Sequence, residues 1–167
     1  MSHIIRRAKI DDVLQISDIY VTSLKNAFNG IFNEGYLAKL TPESKYQQWK
    51  KNIENSNNIV FVLENDYEIL GLIVGSLGSR EGKINDQGNI LAVYIKPDYK
   101  RMGYGKKLVE ALFEEFKKHN IVKCVVKVLK NNQDRGFFEH VGGVLVDESP
   151  VDEAHVFSIY IYGWDNI

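Results

Sequence analysis

The chain has 167 residues, of which 44% are hydrophobic and 26% charged, enough to bury the core of one compact domain. Its formal net charge of −1 leaves no global field to draw it to nucleic acid or to an anionic membrane. A single cysteine, Cys124, excludes an internal disulfide and any multi-cysteine metal site. It lies in an apolar stretch and reads as a small buried hydrophobe.

The opening residues Met1 to Arg7 lack the apolar stretch of a signal peptide, and no window approaches the ~20 apolar residues of a membrane span. The expectation is a cytoplasmic protein of one domain, residues 1–167. Ile4 to Ala8 reads as a short strand. Asp11-Asp12 then opens a helix with Val13, Ile16, Ile19 and Tyr20 on one stripe and its acids at the positive end. Phe28 to Leu40 reads as a loop. Thr41-Pro42 starts a second helix, threonine at the cap and proline at the first position, with Tyr46, Trp49 and Ile53 on one side.

The middle of the chain is strand-rich. Ile59 to Leu63 and Ile69 to Leu77 are β-branched runs around a turn at Asn65-Asp66, and Gly88 to Lys96 is a third strand, ended by Pro97. Gly105 to His119 is the most regular helix, with Leu108, Val109, Leu112 and Phe116 on one face. Val122 to Leu129 is a strand and Asn132 to His140 a short helix. Two strands close the chain, Val144 to Val146 and Val156 to Tyr162. The crossover between residues 88 and 129 predicts a parallel, adjacent strand pair within an otherwise hairpin-like sheet. The fold class is α/β: a mixed, mostly antiparallel sheet with a central parallel pair and helices on both faces.

The informative turn is Lys96-Pro97-Asp98-Tyr99-Lys100-Arg101-Met102-Gly103-Tyr104-Gly105-Lys106-Lys107. Here a strand passes into the long helix, whose first amides are free donors at its positive pole. Glycines 103 and 105 leave the backbone bare, and Lys100, Arg101, Lys106 and Lys107 add charge, which suits a pyrophosphate. A bare tight turn is the alternative. A nucleoside-triphosphate loop does not fit, because no Lys-Ser or Lys-Thr follows Gly105. A dinucleotide fingerprint does not fit either, because position 108 is leucine and the turn sits two-thirds along the chain.

Lys100 to Gly105 resembles the [Q/R]-x-x-G-x-[G/A] signature of the GNAT superfamily of N-acetyltransferases, with lysine in the glutamine/arginine place. The likeness runs on through Ile5 to Asp12, Tyr20 to Leu24, Gly30-Ile31, Tyr36-Leu37, Asn131 to Gly143 and Tyr162 to Asp165, similar to one bacterial branch. It implies an acetyl-CoA-dependent acyltransferase acting on a primary amine of a small molecule or a protein. The pyrophosphate would lie on amides from Arg101 to Lys106, Met102, Gly103, Tyr104 and Gly105 among them. The pantetheine arm would lie on amides of Val93, Tyr94 and Ile95, one of which would also face the thioester oxygen. Asn131 matches the family asparagine that reaches the arm; capping the helix that follows is the equal alternative. The family also leaves the edge of the last strand for pairing in a homodimer.

Two positions depart from the pattern. The family's acid to the departing thiolate is a tyrosine where this chain has Phe138, and its glutamate base falls at Asn89. Tyr94, Tyr160 and Tyr162 are the candidate substitutes. A catalytically weak or inactive acyl-CoA-binding module is therefore the competing reading. His3, His119, His140 and His155 have no metal-ligand spacing, so no metal is expected. Glu81, Asp86 and Glu139 are candidates for holding a cationic acceptor or serving as a base, with solvated loop acids the default alternative. The aromatic segment from Phe28 to Trp49 resembles the wall of the family's acceptor pocket. Salt-sensitive DNA binding through residues 96–107 is the third class, disfavoured by the even charge elsewhere.

Overall fold

The structure, a computed structural model, describes residues 2–30, 32–78, 87–150 and 158–167; Glu81, Asp86 and His155 lie outside the described residues. Strand β1 (Ile4–Arg7) is followed by a 3-10 turn at Ile10–Asp12 and by helices α1 (Val13–Phe28), α2 (Glu34–Ala38) and α3 (Pro42–Glu54). Three strands come next, β2 (Asn58–Glu64), β3 (Ile69–Ser76) and β4 (Gln87–Ile95). The chain continues through α4 (Tyr104–Lys118), β5 (Lys123–Leu129), α5 (Gly136–His140), β6 (Val144–Pro150) and β7 (Ser158–Trp164).

The seven strands form one sheet in the order β1-β2-β3-β4-β5-β7-β6. Among the described residues only β4 and β5 run parallel, as the crossover predicts. The last strand is not an edge: β7 is paired on both sides, with β5 and β6, and β6 is the outer strand. Any dimer made by strand pairing at that end would therefore use β6.

The two-residue period of the strands distributes the core onto two faces. On β2, Val60 and Val62 face Val13, Ile16 and Ile19 of α1 and Trp49 of α3, whereas Ile59 and Leu63 face Leu108, Leu112 and Phe116 of α4. The capping expected at Thr41 is present, its hydroxyl accepting from the Ser44 N–H at 3.1 Å. The segment read as a loop contains α2, whose Leu37 packs with Val21 and Leu40. Asn33 accepts from the Gly35 N–H and starts this single turn, too short to show a helical period.

The N-terminus is tied down by charge. Arg6 donates to both oxygens of Asp12 at 2.8 and 3.0 Å and to Glu64 at 2.6 Å. Burial pushes the Asp12 carboxyl up, but the Arg6 guanidinium and the Lys9 N–H outweigh it and hold Asp12 below the ordinary carboxylate range.

Candidate active site

The site begins where the parallel pair comes apart. Strands β4 and β5 are in register from Gln87↔Lys123 to Ile90↔Val126, and no pairing follows, although β4 continues to Ile95 and β5 to Leu129. On the other side β4 is paired with β3 from Asn89 to Ile95, with Ala92 opposite Val74 and Ile90 opposite Gly75. Leu91 has no counterpart there. This extra residue is a β-bulge, and a bulge bends and twists the strand that carries it. The bend falls at the residue where β4 leaves β5.

The parting of the two strands defines the cleft, along which the β4 backbone after Ile90 has no ladder partner in β5. The Lys96 N–H donates to Leu70 of β3 at 2.8 Å, so by alternation the Tyr94 N–H also points at β3. The amides of Val93 and Ile95 point the other way, into the cleft. Of the three residues expected to present amides to the arm, Val93 and Ile95 lie on the β5-facing side of the strand and Tyr94 on the β3-facing side. Its side chain lies on the face of α1 and α3, in edge contact with Tyr20 at 5.4 Å between ring centres. Burial, and secondarily Tyr20, push the Tyr94 phenol up, so it stays protonated.

The C-terminal end of the cleft is closed by the loop into α4. Arg101 and Gly103 both adopt left-handed backbone, φ +64° and +80°, turning the chain into the helix. A Cβ placed on Gly103 would meet nothing within 4 Å, so the space before it is open. The first helical hydrogen bond of α4 is from the Lys107 N–H to Gly103, and no side chain caps the helix. The amides of Tyr104, Gly105 and Lys106 therefore lack intrahelical acceptors. Met102 is exposed, and Lys106 is an exposed cation 3.9 Å from Glu110. The Tyr104 side chain turns into the core instead, its hydroxyl 3.0 Å from the His3 ring.

Gly105 has a second reason to lack a side chain. A Cβ there would lie 2.9 Å from the Phe137 ring, because α5 packs its aromatic directly on the start of α4. A further tie joins the same two segments: Lys100 donates to Asp134 at 2.7 Å. Sequence reasoning missed both contacts, since Asp134 and Phe137 carry no local pattern that points at residues more than thirty positions away.

The remaining candidates sort by face. Asn89 stands between Gly88 and Ile90, which face α4, so its side chain falls on the α1–α3 side. Phe138 is buried on the α4 side, stacked on Tyr162 with 6.2 Å between ring centres. The positions where the family carries base and acid thus lie on opposite faces of the sheet beside the cleft. Tyr94 lies on the Asn89 side of the sheet, across from Phe138. Tyr162 is fully buried and donates to Glu139 at 3.0 Å, while the Tyr160 ring is covered by Lys130 and Arg135 at 5.3 and 5.0 Å. Asn131 is exposed, and α5 follows Arg135 without a side-chain cap; Asn132 closes a local turn just before it, accepting from the Asp134 N–H at 2.9 Å.

Cys124 is buried, and that burial pushes its thiol up to about 12, which leaves it unreactive. Among the described residues no cluster of His, Cys, Asp and Glu could hold a metal, and no helix is long and apolar enough to cross a membrane.

Comparison with known proteins bears on the family and the fold. The model of the acetyltransferase (GNAT) family matches residues 21–143. A spermidine N(1)-acetyltransferase of Thermoplasma acidophilum is 27% identical over 154 residues, covering 89% of this chain and 92% of the relative. An uncharacterised N-acetyltransferase of Bacillus subtilis is 25% identical, covering 91% and 86%. Among solved structures, the PaiA N-acetyltransferase of Thermoplasma acidophilum in complex with coenzyme A superposes with a TM-score of 0.75 at 22% identity, over 98% of both chains. An N-acetyltransferase of Staphylococcus aureus gives 0.76 at 16% identity over 99% of both. With the family model spanning most of its length, the chain belongs to the acetyltransferase (GNAT) family.

Proposed function

We propose that this chain transfers the acetyl group of acetyl-CoA to a primary amine by direct attack on the thioester. The observation that carries the reading is the stretch of β4 after the Leu91 bulge, unpaired toward β5 and leading to the uncapped start of α4. That combination suits a molecule with an amide-rich arm at one end and a diphosphate at the other. Bound acetyl-CoA supplies an acetyl group activated as a thioester.

The chain's own residues then act in three ways. The amides of Tyr104, Gly105 and Lys106, with those of Arg101, Met102 and Gly103 before them, receive the diphosphate at the positive pole of α4, with Lys100 and Arg101 adding charge. The Val93 and Ile95 N–H groups donate to the pantetheine arm as to an added strand, with Asn131 beside it at the end of β5. A cleft-facing amide next to the bulge polarises the thioester carbonyl and stabilises the oxyanion. The amine approaches from the α1–α3 side, where Asn89, Tyr94 and Tyr20 lie. Tyr94 there is a hydrogen-bond donor, not a base.

Without a glutamate at 89 or a tyrosine at 138, catalysis relies on juxtaposition and on the leaving ability of a thiol whose pKa is about 8.5. General acid–base help of ~10²–10⁴-fold is forgone, so turnover is slow. The named relative makes spermidine the first acceptor to try. A second reading, a coenzyme-binding module without useful turnover, is favoured by one observation: Phe138 is buried with its ring on Tyr162, leaving no hydroxyl at that place. Calorimetry with CoA, followed by thiol release over a panel of polyamines, monoamines and peptides, separates the two. Binding with release on at least one amine supports the enzyme, binding without release supports the module, and no binding at millimolar CoA defeats both.

A further inference from the structure

The loop that enters α4 and the loop that leaves β5 form the two lips of the cleft. Among the described residues, one ion pair joins them: Lys100 Nζ to Asp134 Oδ2, 2.7 Å. The Asp134 backbone is held by local bonds, while its side chain is exposed. Its N–H donates to Asn132 at 2.9 Å, its carbonyl accepts from the Phe137 N–H at 3.0 Å, and Phe137 packs on the first turn of α4. Lys100 is on a flexible stem and half exposed, and it stands at the head of the segment read above as the diphosphate site. The Lys100 ammonium has three N–H donors but one positive charge, and a carboxylate beside it neutralises charge that a diphosphate would otherwise meet.

We propose that Asp134 is a positioning residue that competes with the coenzyme's diphosphate for Lys100, so that the pair forms a clasp across the lips which coenzyme binding opens. The inference rests on the acetyl-CoA reading. It follows from charge and placement together. With the cleft empty, Asp134 neutralises Lys100 and holds the lips together. When a diphosphate arrives, Lys100 exchanges one anionic partner for another, and the lost ion pair is subtracted from the binding energy. The same subtraction favours release of CoA after transfer.

The test is calorimetric binding of CoA to the full chain and to Asp134→Asn. At low salt the variant is expected to bind CoA roughly two- to fivefold tighter, the scale of one exposed ion pair, and the gain fades as salt screens it. Asp134→Glu, which restores the charge, returns the affinity toward that of the parent. Acetyl-pantetheine, which has no diphosphate, shows no gain. In a Lys100→Ala background the Asp134→Asn gain disappears. Equal or weaker CoA binding by Asp134→Asn overturns the clasp, as does a gain that survives in Lys100→Ala or that acetyl-pantetheine shares. If the folded parent chain binds no CoA, the acetyl-CoA reading falls first and the clasp with it.

Discussion

Replacing Gly105 by alanine separates a glycine kept for a ligand from one kept for packing. An ideal Cβ at this position lies 2.9 and 3.0 Å from two carbons of the Phe137 ring, well inside van der Waals contact. Phe137 is partly buried between α5 and α4, so relief requires α5 to shift or the ring to leave its rotamer. Overpacking of this kind costs about 1–3 kcal/mol. Against it stands the helix preference of alanine over glycine, less than about 1 kcal/mol so close to a helix start. The expected net loss is about 1–2 kcal/mol, a fall of roughly 3–6 °C in Tm for a chain of this size. Urea denaturation of the ligand-free protein measures it, and a double-mutant cycle with Phe137→Leu assigns it. In the leucine background the cost of the alanine should vanish. The reasoning is refuted if Gly105→Ala leaves stability unchanged while CoA affinity falls tenfold or more, since the methyl group would then be occupying ligand space.

Gly103 should behave differently. Nothing crowds it, but its φ of +80° disfavours a β-branched side chain, so Gly103→Val should lose about 1–2 kcal/mol and most CoA affinity, with Gly103→Asn intermediate. Denaturation and calorimetry on the same samples give both numbers. Phe138→Tyr restores a phenol beside Tyr162; kcat should rise at least about tenfold with CoA affinity unchanged, and an unaltered kcat would deny position 138 any part in thiol departure. Asp12 is held below the ordinary carboxylate range in the folded state, so its contribution is fully present above the unfolded value near 3.9 and is lost as pH falls through the folded value. Asp12→Asn should therefore cost about 2 kcal/mol at pH 7 and flatten the acid limb of a stability-against-pH curve.

The fold was legible where a period was long enough to read. Helix α4 announces itself through Leu108, Val109, Leu112 and Phe116, and the β4–α4–β5 crossover follows from its placement between two apolar runs. The turn at Lys100–Gly105 stands out through its likeness to the family signature, since two glycines before a helix would by themselves also suit a plain tight turn. Helix α2 was not legible: five residues cannot display a 3.6-residue period. Nor was the edge strand, because pairing order is decided by contacts distant in sequence; β7 has β6 beyond it. The direction of each amide on β4 was hidden for a similar reason. Which of Val93, Tyr94 and Ile95 faces the cleft depends on the bond from Lys96 to Leu70 and on one extra residue at Leu91. The Lys100–Asp134 and Gly105–Phe137 contacts needed the folded chain.

The central claim is most directly tested by titrating CoA into isotope-labelled protein and following each backbone amide by NMR. The account predicts large shifts and slowed hydrogen exchange at Val93, Ile95, Gly103, Tyr104, Gly105 and Lys106, with the Tyr94 amide, bonded to β3, little changed. A footprint confined to another surface, or no response at millimolar CoA, would contradict it.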